Sequence, residues 1–158
     1  MQFQTADLCD AHHEALQVVK PGLQNFGGKA RFFGRIRTVA LDEDNRALIA
    51  LLQQEGNGDV AVVDAKGVFC AIVGDTLMGY AQKNNWAGIV VNGYVRDIDN
   101  TRMIDVGLLA LGTCPKKSRK RAEGVCGEPV RFLDVTFEEG AWLYADNDGV
   151  VVSRDALL

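Results

Sequence analysis

An α/β fold, as a single domain with a mixed sheet and a β-rich C-terminal part, is predicted by three features of the sequence. Short apolar runs alternate with helical patterns through the middle of the chain. Two of those runs, AGIVVNG at 87–93 and LLALGT at 108–113, lack the alternation of a half-exposed strand, and the last third reads as one strand after another. The 158 residues, 47% hydrophobic and 24% charged, suit one core. No repeat, low-complexity tract or Pro/Ser-rich linker marks a second domain, so residues 1–158 are taken as one unit.

RIRTVAL at 35–41 reads as the first strand of this pattern. DNRALIALLQQE at 44–55 follows as a helix with Leu48, Leu51 and Leu52 on one face and Gly56 as its stop. DVAVVD at 59–64 is a second strand and VFCAIV at 68–73 a third extended run. In GDTLMGYAQKNN at 74–85, Gly74 and Asp75 suit a helix start, and Leu77, Tyr80 and Ala81 form the expected buried stripe. The strands at 87–93 and 108–113 flank a mixed segment, VRDIDNTRMIDVG. PVRFLDVTF, AWLYADN and GVVVS supply the strands of the C-terminal third.

The net charge of -4 and a pI of about 5.1 disfavour general binding to a phosphate backbone, and no direct nucleic-acid contact is expected. KKSRKR at 116–121, with five positive charges in six residues, is the local exception; it reads as a solvated loop or as an anion or RNA contact. The N-terminal MQFQTADLCD lacks a basic start followed by an apolar stretch, and no apolar run is long enough to span a bilayer. A cytoplasmic protein without membrane association is therefore expected. Cys9, Cys70, Cys114 and Cys126 form no CxxC pair and are read as buried or half-buried free thiols. His12 and His13 are adjacent and cannot share a helix face as metal ligands.

Asp75 and the pair Arg96–Asp97 are separated by twenty residues that hold one helix, a return and a strand. A helix leaving the carboxyl edge of one strand and returning through a parallel neighbour brings both ends of such a segment to the same edge, where ligands of open α/β sheets bind. These residue types suit a small 2-oxo acid held beside a metal ion. Free N–H groups from Gly74 to Leu77 can hold a carboxylate, and Gly74 allows close approach. Arg96 offers a planar fork to a carboxylate or an enolate oxygen. Asp97 is a hard oxygen ligand for Mg2+ or Mn2+, with Asp75 placed to orient one of the ion's waters. Taken singly, Asp75 is equally a helix cap, and Arg96–Asp97 a surface pair at a turn.

The wider sequence resembles a known family. TADLCDA, NFGGKARFFGRIRTV at 25–39, GDTLMGYAQKNNWAGIVVNGYVRDID at 74–99 and LYADNDGVVVS at 143–153 are similar, in order and over nearly the whole chain, to regulator of ribonuclease activity A and the 4-hydroxy-4-methyl-2-oxoglutarate aldolases. The resemblance implies a swivelling β/β/α fold, a homotrimer with sites near subunit boundaries, and one of two functions. Members with the Asp-x20-Arg-Asp pattern are class II aldolases that also decarboxylate oxaloacetate. Members lacking part of it inhibit ribonuclease E. The family's substrate positions map onto Gly74, Asp75, Thr76, Leu77 and Arg96 and its metal position onto Asp97, with Arg96 and Asp75 in the catalytic roles. VVDAKGVFC at 62–70 departs from the glycine-richer pattern of relatives, which bears on loop conformation. Some relatives carry an older methyltransferase label, but Ala65 and Lys66 stand where a Gly-rich nucleotide-binding turn would be needed.

Overall fold

The computed structural model describes residues 2–158. Helix α1 (Thr5–His12) and a 3-10 turn lead to strands β1 (Leu16–Val18), β2 (Gln24–Asn25) and β3 (Phe32–Ala40). Helix α2 (Arg46–Leu52), β4 (Val60–Asp64), β5 (Ala71–Val73), α3 (Asp75–Lys83), β6 (Gly88–Val95), α4 (Ile98–Thr101) and β7 (Gly107–Thr113) follow. The C-terminal part holds β8 (Val125–Cys126), β9 (Val130–Phe132), β10 (Val135–Phe137), β11 (Trp142–Ala145) and β12 (Val150–Ser153).

The long strand β3 joins two kinds of sheet. Its first half, Phe32 to Arg35, pairs antiparallel with β11, and its second half, Ile36 to Ala40, pairs parallel with β4. From there the sheet continues in parallel through β6 and β7, while β12 and β1 extend the antiparallel side. The result is a β/β/α layering. Ala61, Val63, Ile89, Val91 and Leu108 face α2 and α3, whereas Val60, Val62, Val90 and Leu109 face the C-terminal strands. Alternate residues of one strand thus enter two different cores, which is why these strands read as unbroken apolar runs. Phe32 lies so close to Gly88 and Gly107 that a Cβ at Gly107 would sit 2.2 Å from its ring. No helix is long and apolar enough to cross a membrane among the described residues.

Several elements differ from the sequence expectation. The helix expected at 44–55 is shorter, because Asp44 is fully buried as an acceptor for Arg46 and Glu43 turns the chain at φ 72°. The run at 68–73 is extended only over Ala71–Val73, since a turn through Lys66 and Gly67 occupies the residues before it. Met78 takes the fully buried place on α3, and Tyr80 is half-buried. All four cysteines are free as expected, but Cys126 is exposed, because β8 is a two-residue strand beside β3.

Candidate functional site

The register of β5 on β6 sets the site. Val73 pairs with Val95, and the N–H of Arg96 donates to the Val73 carbonyl at 3.0 Å. Since the two strands are parallel, the residues that follow them leave the sheet side by side: Gly74 and Asp75 from one, Arg96 and Asp97 from the other. The twenty-residue spacing therefore brings the three charged residues to one carboxyl edge, as the sequence predicts.

The two segments are locked by a contact between elements. Helix α3 has Gly74 as its N-cap, with no side-chain cap of its own. Instead Oδ2 of Asp97 accepts the N–H of Asp75 at 3.2 Å. Asp97 can reach it because its backbone is left-handed, φ 60° and ψ 35°, a conformation that aspartate tolerates better than most residues. The approach depends on Gly74, where an added Cβ would lie 2.5 Å from Asp97 Oδ2 and 3.5 Å from Arg96 Cγ. The N–H groups of Thr76 and Leu77 have no acceptor among the described residues, so the first turn of α3 offers two donors to an anion.

A cavity of about 300 Å³ opens here, bordered by Gly74, Thr76, Leu77, Arg96 and Asp97. Asn45, Lys117, Ser118 and Lys120 also line it. The Arg96 guanidinium is held by the Pro115 carbonyl at 3.4 Å. Asp75 is the one expected site residue that does not line the cavity: its Oδ2 accepts from Asn100 Nδ2 at 2.9 Å, on the α4 side of Asp97. Asn45 and the basic run 116–121 carry no sequence signal that ties them to this edge, since the contacts that bring them here join residues far apart in the chain.

For a divalent cation the donor set is one exposed carboxylate. Asp97 spends Oδ2 on the Asp75 N–H and keeps Oδ1, and the small residue Gly74 leaves room beside it. Among the described residues no three of His, Cys, Asp or Glu converge, so an ion held by Asp97 would draw its other ligands from water and substrate, a habit of Mg2+. The residues present fit such an ion.

The turn after β4 has a different character. The N–H groups of Ala65 and Gly67 both donate to the Asn92 carbonyl, that of Lys66 to Asp64 Oδ1 and that of Val68 to the Ala65 carbonyl. No amide of this turn is free to cradle a phosphate.

Fold and edge together define a small β/β/α protein with a polar crevice where parallel strands end. The chain belongs to the RraA-like family, aldolase/RraA, whose family model matches residues 5–152. It is 49% identical over 164 aligned positions to a protein of Burkholderia mallei named "Putative 4-hydroxy-4-methyl-2-oxoglutarate aldolase", covering 100% of this chain and 99% of that one. It is also similar to the RNA-processing inhibitor RraA from Thermus thermophilus, with 38% identity, a TM-score of 0.95, and 100% and 96% of the two chains covered. A crystal structure from Geobacillus kaustophilus described as an S-adenosylmethionine:2-dimethylmenaquinone methyltransferase has 40% identity and a TM-score of 0.95, over 98% of this chain and 97% of that one.

Proposed function

We propose that the protein is a divalent-metal-dependent lyase that cleaves 4-hydroxy-4-methyl-2-oxoglutarate into two pyruvates and decarboxylates oxaloacetate. The observation that carries this reading is the convergence of Arg96, Asp97 and the free N–H groups of Thr76 and Leu77 on one cavity edge. The name of the Burkholderia mallei relative supports the aldolase part of it.

In the aldol cleavage the C3–C4 bond breaks. Its electron pair passes into the enolate of one pyruvate, the C4 hydroxyl loses its proton, and C4 becomes the 2-oxo carbon of the second pyruvate. The enolate then takes up a proton at C3. Loss of carbon dioxide from oxaloacetate leaves the same enolate, so one arrangement of charge serves both reactions. Mg2+ or Mn2+ on Asp97 would supply polarisation of the 2-oxo group. The chain's own groups do the rest. The α3 amides would orient the 1-carboxylate, and Arg96 would meet the negative charge that builds on the enolate oxygen, a preorganised interaction of a kind often worth several kcal/mol. Asp75, whose Oδ2 is held by Asn100 outside the cavity lining, would act on the hydroxyl proton through an intervening water. Lys117 and Lys120 in the lining would give positive charge to meet the substrate's second carboxylate.

A product count on 4-hydroxy-4-methyl-2-oxoglutarate tests the reading. Two pyruvates should appear for each substrate consumed when Mg2+ is present; substrate loss without pyruvate would overturn it.

The likeness to the Thermus RNA-processing inhibitor favours a second reading, a non-catalytic inhibitor, which we propose would act as a homotrimer docked on ribonuclease E. The acidic balance of the chain would suit a partner with basic segments. No S-adenosylmethionine chemistry is proposed, because the amides of the turn after β4 are already spent.

A further inference from the structure

Three consecutive residues in front of α2 reach across to three consecutive residues of the basic segment 116–121. The Glu43 carboxylate accepts the main-chain N–H of Arg119 at 3.1 Å and its Nε at 3.3 Å, and its other oxygen lies 3.6 Å from Arg121 Nε. Asp44 Oδ2 accepts the main-chain N–H of Arg121 at 2.8 Å, while Arg46 grips the same carboxylate at 2.7 Å. Asn45 Oδ1 accepts from Lys120 Nζ, and Asn45 Nδ2 is itself fixed on the Ile72 carbonyl at 2.8 Å.

These contacts differ from ordinary surface ion pairs, which contribute little. Asp44 is fully buried, Glu43 is nearly so, and both accept main-chain N–H groups of the segment, which fixes its path rather than only its charge. The far end of the segment is tied as well: Ala71 N–H donates to the Lys116 carbonyl at 2.7 Å, and Ser118 is buried. A run of five like charges would otherwise repel itself into solvent. Here it is held at the cavity, with Lys117, Ser118 and Lys120 in the lining.

We propose that Glu43, Asp44 and Asn45 are positioning residues: a clamp that seats the lysines of segment 116–121 in the cavity lining and so sets the affinity for ligands bearing a second carboxylate. This rests on the reading of the cavity as a 2-oxo-acid site. Glu43 and Asp44 touch no substrate in this arrangement. They act through the lysines, and they neutralise the arginines that would crowd them.

The segment holds five tryptic positions, which gives a readout independent of turnover. Glu43→Gln and the double variant Glu43→Gln/Asp44→Asn are compared with wild type for trypsin nicking within 116–121 under native conditions. KM and kcat for oxaloacetate with Mg2+, and the inhibition constant of pyruvate, are measured beside it. Nicking is expected to accelerate about tenfold or more in the double variant and less in the single one. KM for oxaloacetate should rise about tenfold with kcat within about threefold, and pyruvate, whose single carboxylate sits at the α3 end, should change less than about twofold. Glu43→Asp should restore part of the protection. Unchanged nicking would overturn the clamp, and so would a fall in kcat alone or an equal loss for pyruvate and oxaloacetate. If wild type releases no pyruvate from oxaloacetate, the lyase reading fails and the affinity half of this proposal with it. The nicking rates still decide whether the clamp seats the segment.

Discussion

Oδ2 of Asp97 caps helix α3 from outside, by accepting the N–H of Asp75 at 3.2 Å. The residue assigned to hold the metal is thus also the one that fixes the helix start assigned to the substrate carboxylate. On the proposed function, one contact would set both the metal and the carboxylate positions, so a disturbance there should damage the site without unfolding the protein.

Gly74→Ala tests that coupling. The new Cβ would lie 2.5 Å from Asp97 Oδ2, and either the carboxylate or the start of α3 must move. The backbone at Gly74 is extended and suits alanine, so the melting temperature should change little. Turnover should fall by about 100-fold, the size of effect a misplacement of about 1 Å produces. Turnover within about twofold of wild type would show that the close approach is unimportant.

Asp97→Asn and Arg96→Lys should fail in different ways. Loss of the one carboxylate assigned to the ion should weaken Mn2+ binding beyond the roughly 10–100-fold typical of outer-shell changes. Lysine in place of Arg96 keeps the charge and loses the planar fork, so turnover should drop about 100-fold while Mn2+ affinity stays near wild type. Titration of Mn2+ into each variant, followed by its magnetic resonance signal, separates the two. Equal loss of Mn2+ affinity would contradict the assigned roles.

Asp75→Ala distinguishes the lyase from the ribonuclease regulator. The side chain is small and its carboxylate is engaged with Asn100, whereas docking on a large ribonuclease needs about 800 Å² of surface. Pyruvate release should fall by about 100-fold or more, with oligomeric state and ribonuclease E capture unchanged. Lost capture with retained turnover would reverse the order of the two readings.

Asp44 predicts an acid limb in stability. The Arg46 guanidinium hydrogen-bonded to its carboxylate, helped by the N–H groups of Arg46 and Arg121 against the opposing cost of burial, lowers its pKa from 3.8 to about 2. Glu43 and Lys120 stand beside it on the same clamp. A depressed carboxyl pKa contributes stability that is fully present above about 3.8 and lost as pH falls through about 2. The urea midpoint of wild type should therefore exceed that of Asp44→Asn by a constant amount from neutral pH down to about 5, and the difference should close toward pH 2. A difference independent of pH would mean that the ionised carboxylate is not what stabilises this corner.

Most of the parallel sheet was legible because its strands are covered on both faces, and AGIVVNG and LLALGT carry that burial as unbroken apolar runs. The meeting of Asp75 with Arg96 and Asp97 was legible too, since it follows from strand order and a crossover helix alone. The left-handed backbone at Asp97 was not, because aspartate accepts several conformations and the strain is set by a partner twenty-two residues away. The shortened α2 was hidden for a similar reason: Asp44 looks like an ordinary helix-start residue until Arg46 and Arg121 are seen to surround it. Segment 116–121 was visible as charge, but its role as a cavity wall depends on Glu43 and Asn45, more than seventy residues earlier.

If Arg96 and a cation held by Asp97 stabilise a pyruvate enolate, the rate of pyruvate release from oxaloacetate must depend on divalent ions. Oxaloacetate loses carbon dioxide through that enolate with no hydroxyl proton to remove, so the assay isolates the shared step. With Mg2+ or Mn2+ present the protein should release pyruvate faster than the same concentration of free ion. Thorough chelation should abolish the excess, and readdition of the ion should restore it. A rate that survives chelation, or one no greater than that of the free ion, would mean that no metal-dependent lyase site is present.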